Sequence, residues 1–236
     1  CRFGEASEAA GRAVLEWHRA AMEYGRAGRI QGVVMAPRNT TSMKLAGDMS
    51  MPGEPEPGSY MLRMSGNLRV VPLTEHLRLV EAVAAVTPEK VLEVVRILHD
   101  ALCGWGLPRP RIAVAGINPH AMFEEDKQRI GPAVEQARKE GIDVSGPAVP
   151  DAVFRQCIQG RHDAVVTMFH DQGQIAVKTV GFEGACTVHI GLPFVRISVP
   201  HGSAFDIAGK GVAKPDSMLR AISIAAQLAA GKGALV

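Results

Sequence analysis

Cysteine is scarce. The four in 236 residues, Cys1, Cys103, Cys157 and Cys186, stand far apart with no CxxC pair. That spacing argues against a zinc–thiolate site and a dense disulfide framework and favours a reducing compartment, so the cytoplasm is the expected location. An excess of charge of either sign is also missing: 26 Lys and Arg against 24 Asp and Glu leave +2, too little for an electrostatic footprint on nucleic acid. No stretch reaches the roughly 18 uninterrupted apolar residues of a membrane span. The opening CRFGEASEAAGR carries no basic segment followed by an apolar one. Neither nucleic acid nor membrane is an expected partner. There is no GxGxxG, no internal repeat and no initiating Met; the chain starts with a Cys that runs into a helical pattern, so further residues upstream are expected.

What is present is the composition of an ordinary globular protein, 47% hydrophobic and 21% charged, long enough for one large domain or two small ones. Apolar residues at Ala9, Ala13, Val14, Trp17 and Ala21 predict a helix over Glu5 to Gly25, feeding a strand at Gly32 to Ala36. Residues 37–59, rich in Pro, Gly, Met and Glu, predict a long loop. Tyr60–Met64 and Arg69–Leu73 read as two strands joined by the turn-rich Ser65-Gly66-Asn67. Helices follow near Leu77–Ala85 and Pro88–Leu102, then a strand at Arg111–Gly116, helices at 124–140 and 151–159, strands at Asp163–Phe169 and 185–190, and a helix at Pro215–Ala230. Strands separated by helical segments predict an α/β sandwich with a parallel or mixed sheet, whose strand ends are where ligands belong.

Three of the eight histidines follow predicted strands: His76, His120 and His170. Strand C-termini converge in such a sheet, and three neutral imidazoles there would hold a divalent metal with positions open for substrate. By spacing alone, a His at a strand end is more often a hydrogen-bonded structural residue. Near the C-terminus, His201-Gly-Ser-Ala-Phe-Asp-Ile-Ala-Gly-Lys-Gly-Val-Ala213 reads as a nucleotide loop, in which Gly202, Gly209 and Gly211 permit close approach and Asp206 can accept from ribose hydroxyls. A Gly-rich connection between helices reads the same way. Lys178 and Arg196 flank predicted strands near His170 and suit an anionic substrate, or are solvated surface charges.

Asn118-Pro-His120, His170-Asp-Gln-Gly173, Gly191-Leu-Pro-Phe-Val-Arg196 and His201-Gly-Ser-Ala204, in this order, resemble the 4-hydroxythreonine-4-phosphate dehydrogenase (PdxA) family. The likeness runs from Glu5 to about Leu228; the family's N-terminal portion, with its Gly-Pro-rich opening motif, is absent. The segment from His201 to Pro215 is also similar to the adenosine-binding segment of isocitrate and isopropylmalate dehydrogenases. The resemblance implies a two-lobed α/β/α sandwich of that type with a mixed sheet. Residues 1–36 would be the remainder of the N-terminal lobe, 37–200 the metal- and substrate-binding lobe, and 201–236 the nucleotide loop with a helix returning to the first lobe. It further implies an NAD-dependent oxidation of a secondary alcohol beside a divalent metal, followed by loss of carbon dioxide, at a homodimer interface. His76, His120 and His170 match the metal ligands, with zinc the first expectation and magnesium, manganese or cobalt the alternatives. Together with Lys178 they form the catalytic set. Lys178 and Arg196 match the cations that bind a small anionic substrate, and His201, Gly202, Ser203, Asp206 and Lys210 fall in the cofactor segment.

Four departures bear on the substrate. Pro52-Gly53-Glu54-Pro55-Glu56 stands where the family has Pro-Gly-His-Thr-Glu, so Glu54 replaces a substrate-contacting His and is expected to disfavour a phosphate. Thr187 replaces an Asn that contacts substrate. Thr40, after Asn39, replaces a Lys, and the loop after His120 is shortened to Ala121-Met-Phe123. A dihydrodiol or sugar-acid dehydrogenase, or a non-catalytic binding protein on this fold, are the alternatives these departures leave open.

Overall fold

The computed structural model describes residues 2–49, 55–181, 186–199 and 201–233. Helix α1 (Glu8–Arg26) starts where the Ser7 side chain accepts from the Ala10 N–H, satisfying one of the free donors of the first turn. It feeds β1 (Gly32–Met35). The predicted loop over 37–59 contains a short helix, α2 (Thr40–Leu45), because the Asn39 side chain accepts the Ser42 N–H and caps it. A local hydrogen bond here outweighs the loop-like composition around it.

Strands β2 (Tyr60–Ser65) and β3 (Leu68–Pro72) form the expected hairpin, turning at Gly66 with φ of +54°, a conformation that disfavours any side chain. Helices α3 (Leu79–Ala84) and α4 (Pro88–Gly104) follow, the second capped by Thr87 with Pro88 in its first turn. The remaining elements are β4 (Ile112–Ala115), α5 (Gly131–Lys139) behind a π-helical turn at Asp126–Ile130, β5 (Val144–Ala148), α6 (Pro150–Ile158), β6 (Ala164–Thr167), α7 (His170–Val180), β7 (Cys186–Ile190), β8 (Val195–Ser198) and α8 (Asp216–Ala229). Three of these, β5, α7 and β8, are not among the sequence-predicted elements.

The eight strands among the described residues form one mixed sheet in the order β1-β8-β7-β2-β3-β6-β4-β5. The half made of β3, β6, β4 and β5 is parallel, and the β8-β7-β2-β3 run is antiparallel. One face packs on α4, α5 and α8, where Leu98, Leu102, Ile130, Val134 and Leu228 close on Leu62, Val71, Val188 and Ile197. The other face packs on α6 and α7 through Val153, Cys157 and Val177 against Leu68, Val70 and Val165. This is the expected three-layer α/β arrangement. On the second face, the strands β2, β7, β8 and β1 are floored by polar side chains, and that is where the site lies.

Candidate active site

The floor follows from strand register. Arg63 of β2 lies opposite Thr187 of β7, and Thr187 lies opposite Ser198 of β8, which pairs with Met35 of β1. One step along, Met61 lies opposite His189 and His189 opposite Arg196. Directly paired side chains share a face, so these residues form two adjoining rows. The alternate positions, Leu62, Val188 and Ile197, point into the core and are fully buried. Helix α7 supplies one wall and α2 another, enclosing a cleft of about 350 Å³.

Helix α7 can stand against the sheet because Gly173 has no side chain. A Cβ there would come within 2.7 Å of Val70 and 2.8 Å of Thr167. His170 opens this helix directly after β6, and Lys178 sits in its last turn, on the helix and not beside a strand as the sequence suggests. Both line the cleft, as do His76, Thr187, Arg196 and His201.

Donor atoms of Glu75, His76 and His170 all lie within 4.8 Å of one another, and the two imidazole rings are 5.2 Å apart. His170 Nδ1 stands 2.8 Å from the Asp171 carboxylate, a contact that orients the ring and leaves Nε2 for a metal. Glu75 is already occupied: its two oxygens accept from Arg63 at 2.6 and 2.8 Å, with both side chains 7% exposed. Two imidazoles with further positions to fill fit a divalent ion, and Glu75 serves as the anchor of Arg63. His120 is not in this group. It sits on an exposed turn, Pro119–Ala121, with φ of +59°.

The three histidine-bearing turns are nevertheless tied together by residues to which the sequence assigned no role. Thr74 donates to the Met168 carbonyl at 3.0 Å, joining the His76 turn to that of His170. Gln172 accepts from the Met168 N–H and donates to the Gly116 carbonyl, both at 2.8 Å, joining the His170 turn to β4. Asp126, fully buried, accepts from the Ile117 N–H at 2.6 Å and from the Asn118 side chain at 3.1 Å, bracing the turn that carries His120.

The cleft is electropositive. Arg38, Lys44, Arg63, Lys178 and Arg196 line it against one carboxylate among the described residues, Asp48. Arg38, Lys44 and Arg63 are additions to the sequence-predicted cations. Arg196, 3% exposed, donates to Glu56 at 3.3 Å, and Glu56 also pairs with Arg26. Burial, then the charge of Arg196, pushes the His189 imidazole down to about 3, so it is neutral. Burial pushes the Cys186 thiol up to about 11, which leaves it no role as a thiolate. Glu54 lies outside the described residues; Glu56, two residues on, is the carboxylate that meets Arg196.

In the Gly-rich segment, Ser203 accepts a 3.4 Å hydrogen bond from the Asn39 side chain, linking that loop to the start of α2. His201 borders the cleft, and Gly202 has open space where a side chain would stand. Asp206 and Lys210 are exposed on the same segment.

Residues 1–225 match the family described as pyridoxal phosphate biosynthetic protein PdxA. A Novosphingobium aromaticivorans protein provisionally named a 4-hydroxythreonine-4-phosphate dehydrogenase is 46% identical over 98% of this chain and 70% of its own length. The crystal structure of a 4-hydroxythreonine-4-phosphate dehydrogenase from Klebsiella pneumoniae superposes with a TM-score of 0.86 at 37% identity, covering 97% of this chain and 74% of that one. A terephthalate 1,2-cis-dihydrodiol dehydrogenase from Burkholderia xenovorans LB400 superposes with a TM-score of 0.77 at 32% identity, covering 96% and 76%.

Proposed function

We propose that this chain, which belongs to the pyridoxal phosphate biosynthetic protein PdxA family, is an NAD-dependent, divalent-metal-dependent dehydrogenase that oxidises a secondary alcohol of a small anionic hydroxy acid. The observation that carries the reading is one cleft lined by His76 and His170 together with Lys178, Thr187 and Arg196. A metal site beside anion-binding cations suits an alcohol that carries a carboxylate or phosphate elsewhere in the molecule. The names of the relatives favour 4-phosphooxy-threonine as the first substrate to test.

In this reading His76 and His170 would hold the metal, which when bound would supply a Lewis acid that favours loss of the hydroxyl proton. Lys178 and Arg196 hold the anionic groups, and Thr187 gives a hydroxyl to substrate between them. NAD, when bound, would supply the hydride acceptor; Asp206 would accept from its ribose hydroxyls, and His201, Gly202, Ser203 and Lys210 would hold the rest of the cofactor. The exclusion of water falls to α2 and α7, which wall the cleft.

His120 enters from a second copy of the chain. Large apolar side chains surround the histidine turns and face solvent: Leu77, Leu79 and Val80 beside His76, Met122 and Phe123 beside His120, and Ile175 on α7, each at least half exposed. Exposed apolar side chains of this kind suit a protein contact, and a homodimer across them would let each copy donate His120 to its partner's cleft.

The test is NADH formation with a panel of hydroxy acids and added zinc, magnesium or manganese, together with metal content of the His76→Ala, His120→Ala and His170→Ala variants. Turnover of at least one hydroxy acid of the panel with loss of metal in each variant is expected. Absence of turnover across the panel, with metal content unchanged in all three, would overturn the reading. Oxidation of a dihydrodiol in place of the phosphate ester is the second reading, favoured by the likeness to the terephthalate dihydrodiol enzyme.

A further inference from the structure

On the floor of the cleft one buried polar atom has no partner. His189 is 5% exposed, lines the cleft, and its Nδ1 is sealed from water without a hydrogen bond among the described residues. Its position is set by the sheet: it lies in the middle of β7, with Met61 on one side and Arg196 on the other. Its neighbours in sequence, Val188 and Ile190, face the opposite side and the apolar core. The ring is therefore part of the polar surface a ligand meets and not part of the packing beneath it. Buried polar atoms in native proteins are almost always paired, so an unpaired one on a residue that lines a cleft marks that residue as one a ligand can engage.

The surroundings say which ligand. Arg196, Arg63 and Arg38 all act on His189 electrostatically, so the group that satisfies the ring arrives in a field of positive charge. A second cation is excluded by that field, and an apolar group would leave the nitrogen unpaired. Arg63 is committed to Glu75. Arg196 shares Glu56 with Arg26, so Glu56 can remain on Arg26 while Arg196 turns to an incoming anion.

We propose that His189 is a specificity-determining residue, giving a directional hydrogen bond to the oxyanion at the far end of the substrate, a carboxylate or a phosphate, which Arg196 holds against the strand floor. The proposal rests on the dehydrogenase reading for the identity of the substrate but not for the existence of the subsite. Arginines supply attraction over a broad range of positions. A neutral imidazole on a rigid strand adds a hydrogen bond that only an oxygen at one place can take.

Two measurements test it. In the protein with ¹⁵N-labelled histidine, the His189 ring resonances are followed by NMR while inorganic phosphate, and separately malonate, is added. A saturable shift of His189 with at least one of them is expected, and the ion that acts identifies the oxyanion class. Ring resonances unmoved by saturating amounts of both ions overturn the proposal. In kinetics, His189→Leu should raise KM about tenfold with kcat nearly unchanged, the loss of roughly one hydrogen bond. His189→Asn, whose amide occupies the place of Nδ1, should recover most of it. An unchanged KM in folded His189→Leu, for phosphate-ended and carboxylate-ended substrates alike, also overturns it. Should the unmodified protein oxidise neither class, the dehydrogenase reading fails, and the NMR titration still decides the subsite.

Discussion

Asp126 offers the sharpest test of how the site is held together. Its carboxylate is fully buried and accepts from the Ile117 N–H at 2.6 Å, the Asn118 N–H at 3.3 Å and the Asn118 side chain at 3.1 Å. Hydrogen bonds to a charged acceptor are worth about 1.5–3 kcal/mol each. The 3.3 Å contact counts least, so two effective bonds put the gross loss on Asp126→Ala at about 3–6 kcal/mol. Removing a buried charge also relieves its desolvation, which moves the net towards the lower end, about 3 kcal/mol. For a chain of this length each kcal/mol shifts Tm by about 2–4 °C, so the expected fall is about 6–12 °C. Asp126→Asn keeps Oδ1 for the two backbone donors and turns an amide donor towards the Asn118 amide; about half the loss is expected. Urea and thermal unfolding of both variants are the assay. A loss under about 1 kcal/mol for Asp126→Ala would refute the reasoning, because an acceptor that braces three donors cannot be that cheap to remove.

The pH dependence of stability carries the sign of the His189 shift. The unfolded ring takes a proton from about pH 6.5 downwards, whereas the folded ring resists protonation to about 3, so stability is full above pH 6.5 and is lost as pH falls towards 3. Unfolding free energies at pH 6.5 and 5.5 should differ by about 1 kcal/mol more in the unmodified protein than in His189→Asn, and equal slopes would remove the basis for a neutral ring. Glu75→Ala should cost about 3–5 kcal/mol by leaving Arg63 buried and unpaired, while the joint replacement Arg63→Met with Glu75→Leu should regain most of that stability; a double variant as unstable as the single one would contradict the pairing. Asp206 should make NAD the preferred cofactor, since its carboxylate repels the extra phosphate of NADP, and equal catalytic efficiencies with the two would refute that role.

Much of the fold was legible because its periodicities are strong. The apolar repeat of α1, the hairpin turn at Gly66 and the Thr87-Pro88 start of α4 are local signals with local causes. The elements that escaped have tertiary causes. Helix α7 carries Gly173 in its second turn, a residue that argues against a helix until Val70 and Thr167 are seen pressed against it. Strand β5, Val-Ser-Gly-Pro-Ala, has the composition of a turn and survives as a strand because it is the edge of the sheet, where proline costs no ladder bond. Asp126 belongs to no recognisable spacing, and the role of Gln172 inside the His170-Asp-Gln-Gly173 segment is not visible there, because their partners lie on other elements.

The site divides along the same line. His76 and His170 could be found as residues at the ends of strands, Arg196 through the motif that contains it, and Lys178 as a cation near His170. Arg63, His189 and Ser198, the rest of the polar floor, were not, although a signal was present: Thr187 and His189, and Arg196 and Ser198, are polar pairs two apart in otherwise apolar strands, the pattern of a strand with one wet face. What the sequence lacks is the register that sets Arg63 beside Thr187 and His189 beside Arg196. A shift of one residue in β7 would send both Thr187 and His189 into the core and leave Val188 on the floor. The charge that draws the substrate and the imidazole that selects its end are therefore products of strand pairing, and a substitution that loosens the β2–β7 or β7–β8 ladder should degrade substrate affinity before it degrades metal binding, since His76 and His170 are held from other strands and by Thr74 and Gln172.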